Sequence, residues 1–387
     1  MKIQLSILAG LLLSTAAFAE PGVSDTEIKI GDVNIMTGPA AFVGRGVALG
    51  SKIAAAEINA AGGVNGRKIT IITEDDGYIP SRSFQALTKL LEVDNIFALN
   101  GTSGTANALA MMPLITENNL PTMITTAPAE LLYNPVRPSV FTFGANYRDA
   151  FYAQLKYIHE HGEPKDAVYG LIRQDDDFGK EVEAGYDRAV KTFGVKDAIR
   201  LRFKKGTSNF SAEMAQMSQA GVNVLSDGAI FAGAANVLSE ARKLDMNIQV
   251  ASVWSEGIPA SARLSAPAGY DYLVGDYVAL SGPATEKFLA TAKKFVTPEE
   301  LAGVSRYTFV TYIGLKLLAH AMGECGKDLT RVCTIEKLRQ TKNFDTEGLS
   351  GPVSFDNPQQ LSGTAVAVYQ MIAKDVTFRA LTDFTNY

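Results

Sequence analysis

Short apolar runs of strand length alternate with longer amphipathic stretches along most of the chain. Glu27 to Val33 (EIKIGDV) alternates and predicts a first strand. Val47 to Ala60, rich in alanine, predicts a helix that Gly62-Gly63 ends. Lys68 to Thr73 reads as strand, Ser81 to Val93 as helix and Ile96 to Leu99 as strand. Gly101-Thr102-Ser103-Gly104-Thr105 then forms a turn before a helix from Ala106 to Glu117. Leu120 to Ile124 is a strand, Thr125-Thr126-Ala127 a second polar turn, and Val140 to Phe143 a further strand. This alternation predicts a parallel sheet covered by helices.

Gly144-Ala145-Asn146 marks a crossing into a second unit of similar grain. Helices are expected at Asp149 to His161, Lys180 to Thr192, Ser211 to Gln219 and Ala235 to Leu244. Strands are expected at Ala167 to Ile172, Ala198 to Phe203, Ala229 to Ala232 and Gln249 to Val253. Tyr272 to Leu280 is a strand that carries the chain back to the first unit. Helices follow at Thr285 to Phe295 and Ser305 to Met322, then one capped by Thr334 and running to Gln340. Leu349 to Asp356 is a turn with a short strand, and Thr364 to Ile372 a late strand.

A chain of 387 residues is too long for one ordinary core, so two domains are expected. The start differs from the rest: Lys2, an apolar run from Ile3 to Leu13, then Ala17-Phe18-Ala19. That is the pattern of a secretory signal peptide over 1–19, its apolar run too short to span a bilayer. Exported, mature protein is expected from near Glu20. The two cysteines, Cys325 and Cys333, then suggest a local disulfide, with two free thiols as the alternative. They lie near no histidine pair and make no zinc site. A formal net charge of −5 argues against a nucleic-acid partner.

In a parallel sheet the two polar turns lie where strands end and helices begin. Such positions bind ligands, and a helix N-terminus with free amides suits a carboxylate. Catalytic patterns fit poorly. Gly101 to Thr105 misses the G-x-S-x-G elbow at its fifth residue, leaving an exported hydrolase using Ser103 as an alternative reading. His159 and His161 are two apart on a helix and cannot face one metal, and His320 stands alone in sequence. Gly44 to Gly50 misses the dinucleotide fingerprint by one residue, and Asp175-Asp176-Asp177 lacks calcium-loop spacing. No cofactor and no metal is expected.

The opening TGPAAFVGRGVALGSKIAAAEINAAGGVNGRKITIITEDD resembles the leucine/isoleucine/valine-binding family of periplasmic solute-binding proteins. GTSGT, LPTMITTAPAEL, DDDFG and LSGPVSFD follow in the order of that family. The resemblance implies an α/β, type I periplasmic-binding fold: two Rossmann-like lobes joined by a three-crossing hinge. One lobe would comprise 20–145 with 278–355, the other 146–277 with 356–387. It implies a monomer that binds a small molecule and delivers it to an ABC transporter permease in the inner membrane, without enzymatic activity. A ligand-sensing receptor subunit would need the same lobes.

The resemblance also assigns residues. Thr105, with Ser103 beside it, and Thr125, Thr126 and Ala127 fall in the turns that hold a ligand carboxylate. Glu256 matches the acidic residue that holds an amino group, and Phe178 the aromatic cover. Tyr78, Tyr147 and Trp254 are candidate walls. Val43 and Ala234 stand where amino-acid binders have tyrosines, and Asn146 or Tyr147 where they have an aspartate. These departures imply a wider, less polar pocket, for a hydrophobic amino acid or an aromatic or aliphatic carboxylate. The same residues have structural readings. Ser103 and Thr105 suit a turn and helix cap, Thr125 and Thr126 a strand, Phe178 and Trp254 the core, and Glu256 a loop.

Overall fold

The computed structural model describes residues 20–162, 164–363 and 365–387. The expected signal peptide at 1–19 lies outside them. In the first lobe the order is β1 (Glu27–Asn34), α1 (Ala41–Ala60), β2 (Lys68–Asp75), α2 (Pro80–Glu92) and β3 (Ala98–Thr102). It continues through α3 (Thr105–Glu117), β4 (Thr122–Ile124), α4 (Glu130–Tyr133) and β5 (Val140–Thr142). These strands form a parallel sheet in the order β2-β1-β3-β4-β5. β3 reaches Thr102, further than its apolar residues suggest, because Asn100 is buried and bonded to Ser51 and the Thr311 carbonyl.

The second lobe runs α5 (Tyr147–His161), β6 (Val168–Gln174), α6 (Asp177–Phe193), β7 (Lys196–Phe203), α7 (Ser211–Gln219) and β8 (Val224–Gly228). Next come α8 (Ala232–Lys243), β9 (Gln249–Ser252), α9 (Pro259–Ser265) and β10 (Tyr272–Asp276). The chain then returns to pack α10 (Pro283–Ala292), α11 (Pro298–Leu301), α12 (Arg306–Glu324) and α13 (Arg331–Gln340) with the first lobe. It crosses again to add β11 (Ala365–Ile372) antiparallel to β10, with β12 (Thr377–Ala380) beside it. The sheet order is β12-β11-β10-β9-β8-β6-β7.

Several boundaries differ from the sequence reading. The strand expected at 229–232 is β8, five residues earlier in its start, because buried Ser226 and Asp227 interrupt its apolar run. α1 begins at Ala41, not Val47: its glycines serve close packing, not a turn. A Cβ on Gly44 would lie 2.1 Å from the Ile35 carbonyl oxygen. Thr334 is interior to α13; the N-cap is Thr330, whose hydroxyl accepts from the Cys333 amide. β10 stops at Asp276, and the strand expected near 349–356 is reduced to single bridges such as Val278–Ser350.

Cys325, at the end of α12, and Cys333, in the first turn of α13, are joined by a disulfide. Between the lobes, Arg306 and Asp276 form a fully buried ion pair with two hydrogen bonds, 2.6 and 3.0 Å. Arg306 begins α12 and Asp276 ends β10, so the pair ties the returning chain to the second sheet.

Candidate functional site

Each sheet reverses its strand order once, and the two reversals face each other. In the first lobe the switch lies between β1 and β3, in the second between β6 and β8. Open α/β sheets bind ligands just beyond such points. A cavity of about 50 Å³ lies there, lined by Ile35 after β1, Ser103 and Thr105 after β3, Phe178 after β6 and Ile230 and Phe231 after β8. Val43, Tyr78, Gly104, Thr126, Tyr147, Trp254, Ser255 and Tyr307 complete it.

The polar side comes from the first lobe. Ser103 accepts a 3.1 Å hydrogen bond from the Ile35 amide, which joins the loops after β1 and β3. Gly104, at φ 88°, caps α3, and a Cβ there would meet the Tyr78 ring at 2.4 Å. Thr105 starts α3, whose first amides have no acceptor within the helix. Its buried hydroxyl makes no well-formed hydrogen bond, although the Tyr147 phenol lies close enough to interact electrostatically. Thr126 gives its hydroxyl proton to the Thr102 carbonyl. The buried Trp254 indole N–H and Ser255 hydroxyl also lack protein partners. Buried polar groups are rarely left so, and here three belong to residues lining one cavity.

The apolar side is a set of packed rings. Tyr147 stacks on Trp254 at 5.1 Å and meets Phe178 edge-on at 5.1 Å. Behind Trp254 the Arg306 guanidinium lies 3.9 Å from the ring centroid, held by Asp276. Burial pushes the phenols of Tyr147 and Tyr307 well up, and that of Tyr78 to about 12, with Asp176 and Asp76 adding to the last. All three are neutral hydroxyl groups at ordinary pH. Among the described residues, none lining the cavity carries a charged side chain, and none is histidine.

Of the residues expected from sequence, Ser103, Thr105, Thr126, Tyr147, Phe178 and Trp254 are brought to the cavity, as is Tyr78. Three are not. Thr125 points toward α12, its methyl against Gly314, while its carbonyl accepts from the Tyr277 hydroxyl at 2.9 Å. Ala127 is buried in the first-lobe core. Glu256 lies behind the wall: one carboxylate oxygen accepts from the Phe231 amide at 2.6 Å, and the other is buried without a well-formed partner. Burial pushes its carboxyl up to about 7. Asn146 caps α5 through the Asp149 amide, and Ala234 is buried within α8.

Sequence reasoning missed Tyr307, Phe231, Ile230, Ser255 and Ile35. Tyr307 sits in the first turn of α12, and only its place two residues after the cap Ser305 marks the helix end facing the cleft. Phe231 has φ 55°, a conformation no local motif announces.

The lobes meet around this cavity. Lys205 of the second lobe lies 3.4 Å from the Tyr78 ring centroid. The Phe42 and Phe231 rings meet edge-on at 4.8 Å. Glu181 accepts from the Glu130 amide at 3.1 Å, and Arg148 pairs with Glu130 at 3.3 Å.

A family profile described as periplasmic binding protein matches residues 27–375. The Leu/Ile/Val-binding protein homolog 2 of Brucella abortus is 25% identical over 373 residues, covering 91% of this chain and 92% of that protein. A fatty acid ABC transporter substrate-binding protein from Thermomonospora curvata superposes with a TM-score of 0.82 at 21% identity, over 95% of this chain and 94% of that one. An ABC transporter solute-binding protein from R. palustris, solved with 4-hydroxybenzoate, gives 0.81 at 18% identity, over 93% and 97%. Those two likenesses show the type I periplasmic-binding architecture. The match across nearly all of the described chain places this protein in the periplasmic binding protein family.

Proposed function

We propose that this chain is the solute receptor of an ABC importer, exported behind residues 1–19, and that it binds a small monocarboxylate with an aromatic or aliphatic body. The observation that carries the reading is the cavity's composition. Hydroxyls, an indole N–H and the open amides of α3 converge with aromatic rings, and no charged side chain lines the wall. Donors at a helix N-terminus suit a carboxylate. A buried ammonium would need a paired charge, and Glu256, with one oxygen on the Phe231 amide, is not among the residues lining the cavity. The named structural relatives, one a fatty acid transporter component and one solved with 4-hydroxybenzoate, are consistent with this class. Contacts across the cleft support capture by lobe closure, which a permease would then recognise.

A thermal-shift screen tests it, since a ligand stabilises the fold in proportion to the logarithm of its concentration over Kd. Benzoates and short aliphatic acids should raise Tm at millimolar concentration or below, and leucine, isoleucine and valine should not. A response to the amino acids alone would overturn the reading. A histidine near Ser103 would be needed for hydrolysis, and none lines the cavity.

A further inference from the structure

The Phe42–Phe231 pair stands between two spaces of very different size. On its inner side is the cavity of about 50 Å³, lined by Phe231. On its outer side, lined by Phe42, is a groove of about 620 Å³. The groove's apolar floor comes from both lobes: Leu49 of α1 and Val304 from the first, Ile258 and Ala260 from the second. Five charged side chains also line it, Arg45, Lys52, Arg263, Glu299 and Glu300, with Lys52 and Glu300 paired at 2.5 Å. Small-molecule pockets usually measure roughly 300–1,000 Å³. The inner cavity falls far below that range and the outer groove lies within it.

Phe42 is a half-buried side chain in the first turn of α1 that packs edge-on against Phe231. The Phe231 backbone is held at its positive φ with Glu256 on its amide, and its ring is half-buried like that of Phe42. Opening the pair by rotating Phe42 would join the cavity to the groove without moving any group that faces the carboxylate.

We propose that the groove is a tail subsite, so that the preferred solute is a monocarboxylate whose apolar chain extends beyond a single ring. This inference rests on the carboxylate reading given above. The carboxylate stays at the start of α3, the body lies against Tyr147 and Trp254, and the tail passes Phe42 to lie on Leu49, Ile258, Ala260 and Val304.

The test compares benzoate, 3-phenylpropanoate, 5-phenylpentanoate and octanoate by calorimetry on the mature protein and on Ala260→Trp and Val304→Trp, which fill the groove from opposite lobes. Affinity should rise at least tenfold from benzoate to the longest acids in the parent protein. Both variants should remove that gain while holding benzoate within about twofold, and Phe42→Ala should raise the ratio of long-acid to benzoate affinity. Equal weakening of all four acids by both tryptophans would mean that closure, not a tail, was disturbed, and would overturn the subsite. So would long acids that bind no better than benzoate. Failure of every acid to bind the parent protein would instead overturn the carboxylate reading itself.

Discussion

Glu256 accepts a 2.6 Å hydrogen bond from the backbone amide of Phe231, a bulky residue held at φ 55°. A non-glycine residue in that region costs about 1–3 kcal/mol, which its surroundings must offset. One oxygen of the carboxylate that the sequence resemblance assigns to the ligand's amino group is therefore held by the protein's own backbone, while the other is buried without a well-formed partner. Its second consequence is a dependence on pH. Burial lifts the carboxyl to about 7 in the folded protein, against an ordinary value of 4.5. Between those values the folded state holds a proton that the unfolded chain has released. The resulting stability is present at the acid end and is lost as pH rises through 7.

Glu256→Gln keeps an acceptor for Phe231 and removes the titration. From pH 5 to pH 8 the parent protein should lose roughly 2–3 kcal/mol relative to this variant. Urea melts of both proteins at several pH values measure this. The comparison between them removes the background of buried Asp32, which is also pushed up and acts in the same direction, and reads Glu256 together with Asp227, whose upward shift includes the Glu256 charge. Identical pH slopes would show that Glu256 does not titrate in this window.

Thr105 presents a buried hydroxyl with no well-formed protein partner at the start of α3. Replacing it with alanine should weaken carboxylate binding by about 1.5–3 kcal/mol, the usual value of a hydrogen bond to a charged group. Thr105→Ser should recover most of it. Calorimetry with benzoate checks this, and unchanged affinity in the alanine variant would remove Thr105 from the site.

Lys205 and Tyr78 join the lobes at the cleft's edge, with the ammonium 3.4 Å from the ring centroid. Burial holds the Lys205 ammonium below its ordinary pKa. A half-exposed cation–π contact is worth about 0.5–1 kcal/mol. Lys205→Ala should therefore raise the ligand off-rate about two- to fivefold and leave the on-rate nearly unchanged. Trp254, the sole tryptophan, lines the cavity and provides the stopped-flow fluorescence signal.

Asp276→Asn leaves the Arg306 charge buried with only a neutral partner. Removing one member of a buried pair costs about 3–5 kcal/mol, whereas replacing both can be nearly neutral. Urea midpoints should fall sharply for the single variant and recover in part when Arg306→Met is added. A single variant as stable as the parent would show that the pair contributes nothing to the hinge region.

The alternation of apolar runs and amphipathic stretches was enough to fix two α/β units, because strand and helix periods are local properties of the chain. The same locality placed Ser103 and Thr105 at a strand end and helix start, where open sheets bind ligands. What lies between the lobes was not legible in that way. Thr125 and Thr126 are adjacent, yet only Thr126 lines the cavity, since backbone pleat and α12 turn Thr125 into the first lobe. Tyr307 and Phe231 are separated from the expected turns by long stretches of sequence and reach the cavity only because the chain crosses between the lobes. Glu256 matches a ligand position by sequence, yet it lies behind the cavity wall with one carboxylate oxygen on the strained turn at Phe231. The sequence by itself determined the layers and the helix N-terminus of the site. The tertiary structure decided which side chains face the cleft, because that depends on the approach of two sheets, a long-range relation that no local pattern encodes.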